Sequence, residues 1–459
     1  MSIKQTCKSN LTRRRLLKNA FFGGAASLSP AFWLSGCSKN KYGKRPNIVF
    51  ILLDTLRADH LPSYGYKSDI APYIHQLSQQ GVVFERVIAP SSWTKTSMAS
   101  IVTSRDAPEH GVQRFKDILP RELTTLAEGL STNGYHTIGI NTNPWLTSLF
   151  GFESGFDFYR TYSFDTEVGT AWDVNGYALN LLKQRPREQP VFLYLHYMDI
   201  HAPYAPKPPF YSARPLDIPG LGIMPDQEIE YLYRKKGLNA QGVQQRVLDL
   251  YDGQIRTVDA AIRQLFKIVK ETGPFENTIF VITSDHGEEF REHGTTEHGR
   301  NLYPEVYEVP LIFFGPDHLP QGIRIGAQVR SIDIVPTLFE MADSAMPKSF
   351  KGKSLLPMQS DGFEDRTAVS VVGLNDYIPD LDYIAVVSRE HLYIRERINN
   401  IVEFYDLQAD SKALNDLGIS HLKAQFYAKF EDTILCEAPK QAEPDQKTLE
   451  QLKSLGYMQ

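Results

Sequence analysis

In this 459-residue chain, carboxylates and imidazoles follow three of the apolar runs. Ile48–Leu53 runs into Asp54. Val191–Leu195 runs into His196, with Asp199 and His201 just beyond. Thr278–Thr283 leads to Asp285 and His286, then to His293 and His298. Five of the 12 histidines fall in the last two windows, so imidazoles gather where carboxylates already stand. Oxygen and nitrogen donors converging on one sheet edge are the donor set of a divalent cation. Taken singly, Asp54 reads as a turn former, His196 as a satisfied core histidine, and Glu288–His298 as a solvated loop. Their shared position relative to the strands makes them a candidate site.

A nucleophile is offered by Ser91-Ser92-Trp93-Thr94-Lys95-Thr96-Ser97-Met98-Ala99-Ser100, which leads into a short helical run ending near Thr103. A hydroxyl there sits at a helix N-terminus, where unpaired N–H groups and the helix dipole favour negative charge. Ser92, Thr94 or Ser97 could equally cap the helix. Capping and attack are compatible roles.

These residues need a scaffold that lines up strand ends. Ile48–Leu53, Thr137–Ile140, Val191–Leu195, Thr278–Thr283 and Val309–Phe314 read as buried parallel strands. Helical periodicity lies between them, clearest over Val243–Val269. Strands alternating with helices imply an α/β sheet with helices on both faces, which carries ligands at the carboxyl ends of its strands. Past about residue 365, Thr367–Val372, Tyr383–Val387, His391–Arg395 and Val402–Tyr405 read as closely spaced strands of a small antiparallel subdomain. A helix is expected near Gln446–Leu455. Residues Pro203–Asp226, rich in proline and glycine, read as a long irregular loop.

Composition narrows the function classes. With 42% hydrophobic and 22% charged residues the chain is of globular type. A net charge of -5 gives no support to nucleic-acid binding, and 3 cysteines exclude a disulfide scaffold. Residues 1–36 carry six basic side chains and no acid; the rest holds 43 basic and 54 acidic residues, a net of -11. Thr12-Arg13-Arg14-Arg15-Leu16-Leu17-Lys18, followed by an apolar stretch from Ala20 to Leu34, resembles a twin-arginine export signal. Leu34-Ser35-Gly36-Cys37 resembles a bacterial lipobox. The expectation is a removable leader over residues 1–36, a lipidated Cys37, and a tether over 37–45. The protein would then be anchored at the bacterial cell envelope, facing the periplasm or the cell exterior.

Several stretches together resemble the sulfatase family of the alkaline phosphatase superfamily. They are Arg45–Asp59, Ser92–Thr103, Phe192–Tyr204, Thr283–Glu289 and Asp333–Leu338, with Gly352–Pro357, Phe404–Leu407 and Leu452–Tyr457 as later landmarks. The resemblance implies an alkaline-phosphatase-like mixed sheet sandwiched by helices over residues 46–362, and a small antiparallel C-terminal subdomain over 363–459. It implies that Asp54, Asp285 and His286 hold a divalent cation, with calcium, manganese, zinc and magnesium all compatible and a second ion allowed. The nucleophile completes that set.

Aligning Ala99–Thr103 with the family motif puts Thr94 at the nucleophile position, with Thr96 in place of its proline and Met98 in place of its arginine. Threonine cannot become the formylglycine that sulfatases make from cysteine or serine. It resembles instead the nucleophile of phosphoethanolamine and phosphoglycerol transferases in the same superfamily. Thr55 stands where many sulfatases have a second metal-binding aspartate, and Ile140–Pro144 lacks their Lys-x-His pair. By the same resemblance, His298, His201 and His196 would bind the ester oxygens or protonate the leaving group. Lys95, next to Thr94 in the chain, could neutralise developing charge or simply face solvent.

The resulting expectation is a metal-dependent hydrolase of sulfate or phosphate esters, acting through a covalent Thr94 ester on a glycan, lipid or small molecule. The alternatives are a head-group transferase acting on envelope glycans or lipids, and a binding lipoprotein without catalysis.

Overall fold

A computed structural model describes residues 45–420, apart from 163–168, 274, 360–361 and 374–380, and isolated positions between 423 and 450. The leader, Cys37 and the tether lie outside the described residues, as does most of the expected C-terminal helix. Gln446, Leu449 and Glu450 of that stretch are helical.

The main sheet has eight strands. They are β1 (Asn47–Leu53), β2 (Val82–Ile88), β3 (His136–Asn141), β4 (Phe158–Thr161), β5 (Val191–Tyr197), β6 (Thr278–Thr283), β7 (Glu308–Phe314) and β8 (Ile323–Arg330). Their order across the sheet is β8-β2-β7-β6-β1-β5-β3-β4. β1 lies at the centre, parallel to β5 on one side and β6 on the other, with Leu53 opposite Tyr197 and Leu52 opposite Thr283. The three strands therefore end level, and the residues that follow them meet.

The sheet is mixed because β7 runs antiparallel to both β6 and β2. This corrects the parallel reading of Val309–Phe314. An apolar run reports burial on both faces and carries no direction.

Alternation along β1 shows how the layers form. Ile48, Phe50 and Leu52 pack into the cluster that contains Met98 and Ile101. Those two belong to helix α2 (Thr94–Thr103), which follows α1 (Pro72–Gln79). Val49, Ile51 and Leu53 pack on the other face, against α3 (Ala171–Gln184) and the 30-residue α4 (Val243–Thr272). The period of two in the strand and the apolar stripe of α4 specify the sandwich together.

Ala368–Gly373, Asp382–Val387, His391–Glu396 and Ile401–Asp406 form a separate antiparallel sheet, paired in chain order. It joins the main domain through a bridge between Val371 and Ser91, just before α2. No helix among the described residues is long and apolar enough to cross a membrane.

Candidate active site

Asp54 follows β1, and its N–H is held by the Tyr197 carbonyl at 3.0 Å. Asp285 and His286 follow β6. The chain turns sharply after them, with Gly287 donating to the Val306 carbonyl at 2.9 Å. A Cβ on Gly287 would lie 2.0 Å from the Glu305 carbonyl oxygen, so only glycine permits this approach. Asp54, Asp285 and His286 are fully buried, and each offers one ligand atom within 4.8 Å of the others.

Thr94 enters as the first residue of α2. Its Oγ1 is 3.1 Å from His286 Nε2. Among the described residues no side chain caps this helix, whose preceding residue is Trp93. Ser92 donates instead to the Asn301 carbonyl and Ser97 to the Asp285 carbonyl. The capping reading of these hydroxyls is thereby set aside, and the first N–H groups of α2 remain uncapped by side chains, as an anion-binding helix end requires.

The donor chemistry fits a divalent cation. Asp54 Oδ1 and Asp285 Oδ2 are buried and carry no hydrogen bond from the described residues, an arrangement that is costly unless a cation satisfies them. Burial alone would raise Asp54, but the hydrogen bond from His196 and the potentials of His201, His196 and His286 pull it below the ordinary carboxylate range. Burial, then the charge of Asp54, pushes Asp285 upward. Two carboxylates this close cannot both ionise comfortably without a positive partner.

The remaining expected residues separate. His298 stands in the site, its ring 4.4 Å from that of His286 and 5.0 Å from that of His201. Burial, helped by the charge of His286, lowers His298 to about 3, and burial lowers His201 to about 4 against the opposing charge of Asp54. His196 lies behind Asp54. Its Nε2 meets Asp54 Oδ2 at 2.9 Å and its Nδ1 meets the Tyr194 hydroxyl at 2.9 Å. Both ring nitrogens are committed, so His196 is placed to orient the Asp54 carboxylate.

Lys95 departs from both of its expected positions, at the nucleophile or in solvent. It is fully buried, donates to the Phe115 carbonyl at 2.7 Å, and sits 3.5 Å from the centroid of the Phe150 ring. Its helical position turns it into the core while Thr94 faces the strand ends.

Thr55 donates its hydroxyl to the Asp54 carbonyl at 2.7 Å, in a left-handed backbone conformation at φ 61°. It adds no carboxylate to the cluster. Asp199 accepts the Ala171 N–H at the start of α3, and His293 bonds to Glu305 and stacks on Tyr303 at 3.7 Å. Both belong to the scaffold.

Sequence reasoning missed Asn143, whose Nδ2 donates to Asp54 Oδ2 at 2.7 Å. It too lies just past a strand end, the same positional signal that found the others. Glu288, fully buried beside His298, was also missed.

A helix-sandwiched mixed sheet that presents two carboxylates, an imidazole and a hydroxyl from its strand ends and an adjoining helix defines an alkaline-phosphatase-like hydrolase. The chain belongs to the sulfatase family: the sulfatase family model matches residues 46–344. That membership places it among the sulfuric ester hydrolases. A second model, N-sulphoglucosamine sulphohydrolase, C-terminal, matches residues 291–437. An arylsulfatase of Clostridium perfringens is 24% identical over 453 residues, covering 81% of this chain and 90% of that protein. A structure solved in complex with its substrate D-glucosamine-2-N,6-O-disulfate is similar at a TM-score of 0.68 and 20% identity, over 90% of this chain and 99% of that one. The phosphonate monoester hydrolase of Agrobacterium radiobacter gives a TM-score of 0.69 at 18% identity, over 87% and 100%.

Proposed function

We propose that the protein is a divalent-metal-dependent esterase whose nucleophile is Thr94. The observation that carries this reading is the placement of Thr94 Oγ1, 3.1 Å from His286 Nε2 at the uncapped start of α2, beside the bare oxygens of Asp54 and Asp285. Asp54, Asp285, His286 and Thr94 would hold the cation. A cation held there lowers the pKa of a coordinated hydroxyl and screens charge at the reacting centre.

Thr94 Oγ1 attacks the sulfur or phosphorus in line with the leaving oxygen, and its hydroxyl proton passes to His298 Nε2. The bond from that centre to the leaving oxygen breaks as the bond to Oγ1 forms. The start of α2 receives the non-bridging oxygens, His201 hydrogen-bonds the ester, and His298 Nε2 delivers the proton taken from Thr94 to the leaving oxygen. Water then attacks the Thr94 ester, which restores the hydroxyl and releases the inorganic anion.

The family supports sulfate esters, and the disulfated glucosamine bound by a structural relative supports a sulfated glycan as substrate. Thr94, unable to form an aldehyde hydrate, and the similarity to a phosphonate monoester hydrolase favour phosphorus esters as a second class. The leader and Cys37 support export and lipid anchoring at the cell envelope, with residues 46–362 as the catalytic domain and 363–459 as its smaller partner.

The test is turnover of nitrophenyl sulfate, phosphate and phosphodiester by wild-type protein and Thr94→Ala, with mass analysis of the trapped Thr94 peptide. Loss of at least a thousandfold in kcat and an added sulfuryl or phosphoryl mass are expected. Undiminished turnover by Thr94→Ala would overturn the assignment.

A further inference from the structure

Glu288 is a buried acid whose carboxylate is held by a histidine and a tyrosine. The two oxygens have separate partners. Oε1 lies 3.0 Å from His298 Nδ1, and Oε2 accepts the Tyr204 hydroxyl at 2.8 Å. The main chain is pinned as well: the Glu288 N–H donates to the Glu305 carbonyl at 3.2 Å, and Arg57 donates to the Glu288 carbonyl at 3.0 Å. The adjacent Glu289 serves the loop, accepting from the His293 and Thr295 N–H groups at 3.0 and 2.8 Å. The two consecutive glutamates thus do different work.

We propose that Glu288 is a positioning residue for ester cleavage, fixing the ring of His298 so that Nε2 is the nitrogen that meets the leaving oxygen. The inference deepens the proposed function and rests on the role given there to His298. A carboxylate on one imidazole nitrogen sets the ring plane and the proton position, and thereby the chemistry of the other nitrogen. Triads use the same logic on unrelated folds.

Tyr204 extends the relay. It comes from the loop after β5 that also carries His201, and its ring packs against Tyr251 and Phe290, with centroids 5.6 and 5.9 Å away. One buried carboxylate therefore ties the loop of His201 to the loop of His298. Both histidines contact each other, at 5.0 Å between rings. Gripping a transition state requires this kind of fixed geometry, because misplacement by an ångström is costly.

The experiment uses metal-loaded protein and two series of esters, aryl sulfates and aryl methyl phosphates, with leaving groups from nitrophenol to plain phenol. The variants are Glu288→Gln, Tyr204→Phe, His298→Ala and the double variant Glu288→Gln/His298→Ala. Glu288→Gln should lower kcat/KM at least 30-fold for phenol esters and less than fivefold for nitrophenol esters. The double variant should match His298→Ala within threefold. Tyr204→Phe keeps the carboxylate and should shift in the same direction by three- to tenfold, which covers the case in which Glu288→Gln does not fold. Equal losses across the leaving groups, or losses that multiply in the double variant, would overturn the proposal. Nitrogen NMR of histidine-labelled protein reads the same point without turnover: His298 should show one ring tautomer in wild type and a mixture in Glu288→Gln. Identical spectra would count against Glu288 even if the ester chemistry stands. Wild-type rates in His298→Ala, with altered spectra in Glu288→Gln, would instead remove the catalytic role of His298.

Discussion

Asp54 and His196 meet at 2.9 Å through Oδ2 and Nε2, and Asn143 donates to the same oxygen from 2.7 Å. The second oxygen, Oδ1, is left without a hydrogen bond from the described residues, in a carboxylate that clusters with Asp285 and His286. The carboxylate is presented by its neighbours as well as by its backbone. Partners of this kind are worth about 10–100-fold in metal affinity. His196→Ala and Asn143→Ala should each weaken divalent-cation binding within that range, measured by titration calorimetry with manganese, zinc, calcium and magnesium. Unaltered affinity in both would mean that Asp54 needs no orientation.

Asp285 carries a cost that its function explains. Burial and the charge of Asp54 both oppose its ionisation. Replacing one member of a buried like-charge pair with a neutral isostere relieves that opposition. Asp285→Asn should raise the Tm of chelator-treated protein by about 1–3 °C and abolish the further rise that metal gives the wild type. Melting curves with chelator and with added metal check both halves. A lower Tm for the metal-free variant would sink the repulsion argument.

Met98, which the motif resemblance aligns with the family arginine, is only 1% exposed and lines an apolar space with Phe50, Leu126, Leu146 and Tyr194. A guanidinium placed there would be buried without a partner. Met98→Arg should therefore cost about 3–5 kcal/mol and bring no gain in sulfate-ester turnover. Soluble yield and Tm report the first effect and nitrophenyl sulfate assays the second. A stable variant with increased turnover would show that the side chain can reach the site.

The legible parts of the sequence were those where one physical cause dominates. β1, β5 and β6 are continuous apolar runs because both faces are covered, and Asp54, Asp285 and His286 follow two of them and converge as expected. β2 escaped because Glu85 and Arg86 interrupt its apolar pattern where the strand surfaces. Lys95 was misplaced because chain adjacency to Thr94 says nothing about which side of a helix a residue faces. Asn143 was hidden by its type, since asparagine before Pro144 reads as a turn. Glu288 was hidden within a charged run that composition alone assigns to solvent.

Glu297, next to His298, gives the fold a pH dependence of known sign. Burial works against its ionisation, but Arg234 and Lys235 hold it down from 4.5 to about 2, with Lys235 Nζ at 2.9 Å. A carboxyl lowered by folding contributes stability that is fully present above its unfolded pKa and lost as pH falls toward the folded value. The window here runs from about pH 4.5 down to about 2, and the contribution is at most about 3 kcal/mol. Glu297→Gln should lower Tm at pH 7 and flatten the decline between pH 5 and 3. The loop that carries His298 is anchored to the 226–236 helix through this carboxylate, so the variant should also lose turnover more steeply with temperature than the wild type. Melting and initial rates across pH 3–7 measure both effects. Curves that stay parallel to wild type between pH 5 and 3 would remove Glu297 as the source of the acid sensitivity.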